Sequence, residues 1–188
     1  MFRSRFLRSF PLRAARSGFA AVGLTGAVGA ASLAAPMQVA ESARPPAPVR
    51  GEEIAFLSLP RLHKKAVVRE GVSPRILESG VGHYPSTQLP GQTGNAVLFG
   101  HRTVGAKPFA DLDRLRRGDV IDVRSGAHRY RYRVRSLRVI TPDRTDVLNP
   151  TPLRGGDRRT GSYLTLVTCT PRYSNARRLV AIATLDGR

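Results

Sequence analysis

Cysteine is nearly missing from this chain of 188 residues, which carries a single one, Cys169. A lone cysteine cannot form an internal disulfide, so the usual stabilising role of cysteine in an exported protein is excluded. Two roles remain for it, an inert buried thiol or a reactive nucleophile. The choice between them decides which class of protein this is.

Tryptophan is absent and aromatic residues make up only 6% of the chain, whereas Gly (18) and Pro (14) are frequent. This composition fits many short strands and turns better than a helical bundle. The aliphatic content is adequate for a core, and the length allows one domain with an additional tail.

Negative charge is scarce, since 13 Asp and Glu stand against 31 Lys and Arg, and the formal net charge is +18. A basic surface that faces outward attracts anionic wall polymers or lipid headgroups. Nucleic acid is the other partner that such charge suggests. The arginines are scattered and no aromatic-interleaved RNA signature is present, so we expect no nucleic acid partner.

The N-terminal segment contains no acid before Glu41, and its basic start is followed by an uncharged run from Ser17 to Ala40. A basic region (residues 1–16) followed by an apolar one (residues 17–40) predicts an export signal or anchor. The positive-inside rule then leaves the rest of the chain outside. We expect a single-pass protein of the cell membrane with an extracytoplasmic domain. A transit peptide is the alternative, and cleavage near Ala34 or Ala40 stays open.

The remainder of the chain reads as a Pro-rich linker, residues 41–51, and a folded domain, residues 52–188. The linker predicts an extended spacer. Short apolar segments predict strands at residues 54–59, 66–68, 95–99, 120–123, 130–135, 139–140, 161–168 and 179–185. Residues 73–78 and 109–115 predict short helices. The pattern indicates a mainly β fold, a closed or nearly closed barrel.

The surroundings of Cys169 favour a nucleophile. Pro171 cannot donate to a strand ladder, so the preceding apolar strand should end near Thr170. This places the cysteine at the rim of a sheet, where side chains meet solvent and substrate. A structural thiol more often lies in the middle of a strand.

A nucleophilic cysteine needs a base or a cation nearby to favour its thiolate. His101 is the best of the four histidines, because it also ends an apolar strand and follows Gly100. Acyl chemistry further needs a positive group for the developing oxyanion. Arg177 and Arg178 open the strand after the cysteine loop, and alternation alone does not say which of them faces the rim.

Three motifs carry a resemblance to a known family. The segment Thr165-Leu166-Val167-Thr168-Cys169 matches the TLxTC signature of the sortases, the cysteine transpeptidases of Gram-positive cell envelopes. Phe99-Gly100-His101-Arg102-Thr103 resembles the histidine motif of that family, and Arg178-Leu179 resembles its arginine motif. The similarity runs from about residue 54 to residue 185, and residues 82–91 look most like the class E sortases of actinobacteria.

The resemblance implies an eight-stranded sortase-like barrel with Cys169 as nucleophile, His101 as acid and base, and Arg178 as clamp for oxyanion and substrate. It also implies that Tyr84 helps to read the second position of the substrate, with a packing aromatic as the alternative. No cofactor is expected.

The two threonines that flank the nucleophile, Thr168 and Thr170, are predicted to contact substrate. No metal is predicted, because no acidic cluster resembles a calcium site and the domain is poor in acids.

The implied reaction cleaves a C-terminal LPxTG or LAxTG sorting signal between Thr and Gly and joins the protein to an amine of a peptidoglycan precursor. Its partners would be secreted proteins with such signals, the amine acceptor and the membrane. An L,D-transpeptidase is one alternative, but it should show an S-x-G-C segment, whereas Ser162 lies seven residues before Cys169. An exported basic module that binds anionic wall polymer or lipid, with a structural cysteine, is the other.

Overall fold

The computed structural model describes residues 47–154 and 159–187. The predictions for residues 1–16 and 17–40, and for most of the linker, lie outside the described residues. Within the described ranges, no helix has the length and apolar character needed to cross a membrane.

Eight strands form a closed barrel in the described part of the chain, which confirms the predicted fold. Around the barrel the order is β1-β2-β3-β4-β7-β8-β6-β5. The strands are β1 (Glu53–Leu59), β2 (Lys64–Glu70), β3 (Val81–His83), β4 (Gly94–Gly100), β5 (Val120–Ser125), β6 (His128–Ile140), β7 (Ser162–Thr170) and β8 (Arg177–Leu185).

Alternation along the strands sorts the apolar side chains into two clusters. The inner cluster draws residues from every strand, among them Leu98, Leu164 and Ala181, and it fills the barrel. The outer cluster lies on the other face of β4, β7 and β8 and includes Phe99, Val167 and Val180. The odd-numbered residues of β4 and β7 and the even-numbered residues of β8 therefore face outward at this side of the barrel.

A single short helix, α1 (Pro74–Ser79), is found among the described residues, with Ser73 as N-cap, Pro74 in the first turn and Gly80 as C-cap. These are the residues that the sequence predicts for its boundaries. Leu77 of this helix belongs to the outer cluster. The helix therefore packs on the outer face that carries β4 and β7.

The predicted helix over residues 109–115 is wrong in extent. Only a 3-10 turn, Leu112–Arg114, forms there. Phe109, Leu112 and Leu115 are all buried in the inner cluster, as an amphipathic segment should be. Their spacing of three residues matches the three-residue period of a 3-10 turn rather than the 3.6-residue period of an α-helix.

The two strands predicted at residues 130–135 and 139–140 are one long strand, β6, with an irregular register between Val134 and Ser136. The bulge lets this strand pair with β5 in its first half and with β8 along its second half. Strand β3 is not predicted from the sequence, because three residues with a central Gly82 give no alternation to detect.

Candidate active site

The ends of β4 and β7 meet at one rim, because these strands run parallel and Phe99 pairs with Val167. Two residues further along each strand direction stand His101 and Cys169. The Thr168 hydroxyl donates to the Gly100 carbonyl at 2.8 Å, which fixes the two strand ends at this level. Both strand-end predictions therefore lead to the same rim and the same outer face.

Strand β8 brings the arginine. It runs antiparallel to β7, and Arg178 pairs with Cys169 while Arg177 pairs with Thr170. Paired residues on adjacent antiparallel strands project from the same face. Arg178 is therefore the member of the pair that shares the outer face with Cys169, a choice that alternation within the sequence leaves open. Arg177 is exposed to solvent.

The Arg178 side chain is only 2% exposed. Its Nη1 donates to the carbonyl oxygens of Asn175, at 2.9 Å, and of Arg177, at 3.2 Å. Hydrogen bonds of this kind are what allow a charged group to remain buried. The guanidinium is thus held in place by the loop between β7 and β8, with its charge directed toward the end of β7.

The electrostatics of the site favour the neutral forms of its two titratable groups. Burial raises the pKa of Cys169 above its ordinary value, and the charge of Arg178 opposes this effect. Burial lowers the pKa of His101, and the carboxylate of Glu78 opposes it. A thiolate paired with an imidazolium is therefore a minority form at neutral pH. Cys169 is partly exposed, so the thiol is accessible to a reactant.

Tyr84 lies on the same outer face. Its backbone N–H donates to the Val97 carbonyl at 2.9 Å, and its ring packs against Phe99 with centroids 5.9 Å apart. The side chain is half-buried, so part of the ring faces solvent. The residue packs and is also exposed beside β4, which leaves the predicted contact with substrate as a prediction.

The two threonines beside the cysteine have partners within the protein. Thr168 is fully buried and bonds Gly100 as described above. The Thr170 hydroxyl accepts a hydrogen bond of 2.8 Å from Nη1 of Arg102. The contacts found for both side chains are structural, and their predicted role in substrate binding stays a prediction.

Arg102 is a site residue that sequence reasoning missed. It is 6% exposed, forms an ion pair of 2.9 Å with Asp113 and donates to Thr170. It therefore ties the end of β7 to the segment that closes the barrel. Its place beside His101 is the one signal in the sequence, but a charged residue after a strand end is normally expected in solvent.

His83, another of the four histidines, has a structural place. It is 1% exposed, with Nδ1 at 2.7 Å from Oε2 of Glu70 and Nε2 at 2.9 Å from the Gln88 carbonyl. These bonds fasten the loop after Tyr84 to β2. Across residues 47–154 and 159–187, no three His, Cys, Asp or Glu side chains are grouped so that they could hold a metal ion.

A closed barrel that gathers a cysteine, a histidine and an arginine at one rim defines a cysteine enzyme equipped for acyl transfer. The sortase domain family matches residues 57–186. The chain belongs to the sortase family, whose members are cysteine transpeptidases.

The chain is 34% identical to sortase SrtE1 of Streptomyces coelicolor over 138 residues, which are 69% of this chain and 39% of that protein. It spans about two fifths to half the length of the Streptomyces relatives it matches, since the SrtE2 match covers 53% of that protein.

Solved structures agree in fold. The T196V mutant of sortase E from Streptomyces avermitilis superimposes with a TM-score of 0.67 at 34% identity, covering 74% of this chain and 91% of that one. Sortase E1 of S. coelicolor with a tripeptide in the active site gives a TM-score of 0.68 at 30% identity, covering 73% of this chain and 90% of that one. These relatives confirm the similarity to class E sortases.

Proposed function

We propose that this protein is an extracytoplasmic transpeptidase that cleaves a C-terminal sorting signal of the LPxTG or LAxTG type between Thr and Gly. It then joins the new carboxyl end to an amine of a peptidoglycan precursor. The observation that carries the proposal is the strand register, which places His101, Cys169 and Arg178 on one face at one rim.

The first half of the reaction forms a thioacyl enzyme. The thiolate of Cys169 attacks the threonine carbonyl, and a carbon–sulfur bond forms as the carbonyl oxygen becomes an oxyanion. Arg178, opposite Cys169 in the register, stabilises that negative charge. The carbon–nitrogen bond then breaks, and the His101 imidazolium gives its proton to the departing glycine amine.

The second half releases the product. An amine of the acceptor attacks the thioacyl carbon, and neutral His101 takes the proton from that amine. Collapse of the second oxyanion breaks the carbon–sulfur bond and returns Cys169 as thiolate. The histidine is again an imidazolium, so the protons balance over one turnover.

The pH profile of kcat/KM for peptide cleavage is expected to be bell-shaped, because the active form needs a thiolate and an imidazolium together. The acid limb should lie below the ordinary histidine value of 6.5, since burial lowers the pKa of His101. The alkaline limb should lie above 9.0, since burial raises the pKa of Cys169. Initial rates at subsaturating peptide across the pH range measure both limbs.

Glu78→Gln is the matched variant for this profile. The Glu78 charge raises the pKa of His101, so its removal should move the acid limb to still lower pH and leave the alkaline limb in place. A profile whose alkaline limb lies below 9.0 would contradict the assignment of that limb to Cys169.

The substrate preference follows from the outer face of β4. The Tyr84 ring lies beside Phe99 on this face, and we propose that its hydroxyl accepts the backbone N–H of the second signal residue. Proline has no such N–H and alanine has one. An LAxTG peptide should therefore be cleaved faster than an LPxTG peptide, and Tyr84→Phe should reduce this difference.

Fluorogenic LAxTG and LPxTG peptides, incubated with the full chain and an amine acceptor, test the function and the preference together. Product analysis by mass spectrometry identifies the bond cleaved and the amine joined. If neither peptide is cleaved, the proposed reaction is wrong. If LPxTG is preferred and Tyr84→Phe changes nothing, Tyr84 is a packing residue only.

The proposed location is the cell membrane, with residues 17–40 as a single-pass anchor and the barrel outside, supported by the charge pattern of the N-terminal segment. Digestion of the barrel by protease added to intact cells tests this arrangement. Full protection from the protease would place the barrel inside and overturn it.

A further inference from the structure

A second surface lies diametrically opposite the candidate active site. Strand β1 is four strands away from β7 in either direction around the barrel. The paired registers of β2, β1, β5 and β6 align their outward side chains in two neighbouring rows, Val67–Phe56–Arg124–Arg129 and Lys65–Ser58–Asp122–Arg131. These rows line a groove of about 740 Å³, which we call the rear groove.

The charges of the two rows are not balanced. In the second row Asp122 forms an ion pair of 3.1 Å with Arg131, so its charge is compensated. In the first row Arg124 and Arg129 are directly opposite each other and both are exposed. Neither forms an ion pair with any residue in the described ranges. Like charges directly opposite on paired strands repel each other, and an anion between them would relieve that repulsion.

Other residues of the groove fit the same kind of ligand. Lys65 adds a third cation to the lining, and Ser58, across from it in the register, adds a hydroxyl. The remaining acid of the lining, Asp186, is compensated by Arg133 at 2.7 Å. The rear groove therefore offers three uncompensated cations and a hydroxyl to an anion.

The shape of the surface favours a flexible chain over a lipid bilayer. Phe56 is 46% exposed, but the Arg124 guanidinium lies over its ring at 5.0 Å from the centroid. A ring covered in this way is a cation–π partner that orients the arginine, and it is poorly placed for insertion into lipid. A concave groove also admits a thin polymer, whereas a bilayer presents a flat surface.

We propose that the rear groove binds a phosphodiester polymer of the cell envelope, with Arg124 and Arg129 on successive or shared phosphates. The choice of an envelope polymer rests on the extracytoplasmic location under the proposed function. The groove is separate from the active site, so binding there leaves the peptide groove free. The polymer would hold the enzyme beside the wall material that it modifies.

Binding of fluorescent poly(glycerol phosphate) to the full chain tests this proposal. The variant is Arg124→Gln with Arg129→Gln, and the matched control is Arg116→Gln with Arg117→Gln, two exposed arginines outside the groove that remove the same charge. Two lost phosphate contacts lower the salt dependence by about 0.7 each. From about 50 to about 200 mM salt, wild-type affinity should fall about sevenfold more than that of the groove variant.

The control variant should keep the wild-type salt dependence. Equal losses in both double variants would reduce the effect to net charge and overturn the site. Tighter, groove-dependent binding to vesicles with anionic lipid, or to single-stranded DNA of equal charge, would overturn the polymer as partner.

Two further measurements keep the outcome interpretable. Thermal unfolding of the groove variant should show a midpoint no lower than wild type, because a repulsive pair is removed, and Arg129→Gln alone provides a milder change. Peptide cleavage should be unchanged in the groove variant. If wild type cleaves no peptide but binds polymer through the groove, the proposed reaction fails and the groove stands.

Discussion

Cys169→Ala is expected to abolish cleavage of the sorting peptide, with a loss of roughly 10⁴-fold or more, as when a covalent nucleophile is removed. The reason is that no other thiol exists in the chain to form the thioacyl intermediate. The measurement is the initial rate with the better of the two fluorogenic peptides. Mass spectrometry of the stalled wild-type enzyme should show the added acyl mass, and the variant should show none.

Cys169→Ser separates chemistry from folding for this prediction. It keeps the size of the side chain at this partly exposed position and should fold like wild type, while its hydroxyl is a far weaker nucleophile. Thermal unfolding of both variants provides the check on folding. Residual cleavage near the wild-type rate in either folded variant would make the cysteine structural and favour the basic binding module.

Arg178→Gln is expected to lower kcat/KM by about 10²–10³-fold, the usual cost of losing one donor to an oxyanion. Arg178 pairs with Cys169, so its charge lies where the oxyanion develops. Its charge also lowers the pKa of Cys169. The alkaline limb of the pH profile should therefore move to higher pH in the variant, a change that loss of packing alone would not produce.

Arg177→Gln is the matched control, since this neighbour is exposed and pairs with Thr170 on the other face. It should retain cleavage close to wild type. Arg178→Lys keeps the charge but not the planar fork that its carbonyl partners hold, so its rate should fall between those of wild type and Arg178→Gln. A loss in Arg177→Gln equal to that in Arg178→Gln would remove the distinction that the register makes.

The barrel could be predicted from the sequence because most of its strands alternate and end at Pro or Gly. The rim position of Cys169 follows from Pro171, and that of His101 follows from the apolar strand before it. The choice between Arg177 and Arg178 needed the pairing of β7 with β8, which is a long-range property. Local alternation fixes relative faces within one strand and says nothing about which face meets another strand.

The contacts of Arg102 illustrate the limit of sequence reasoning. Its partners Asp113 and Thr170 lie far from each other along the chain and are brought together only by the closed barrel. The bulge in β6 is similar, since it reflects two different pairing partners rather than any breaker residue in the strand. Such features depend on tertiary pairing, which overrides local propensity.

The hydrogen bond from Thr168 to Gly100 joins residues 68 positions apart in the chain. The histidine and the cysteine beside this bond are therefore neighbours only after a late, long-range strand pairing has formed. An unfolded or half-folded chain has the three reactive groups scattered and is chemically harmless to bystander proteins. Catalytic competence in this molecule is born with barrel closure, so the enzyme is silent during its own synthesis and maturation.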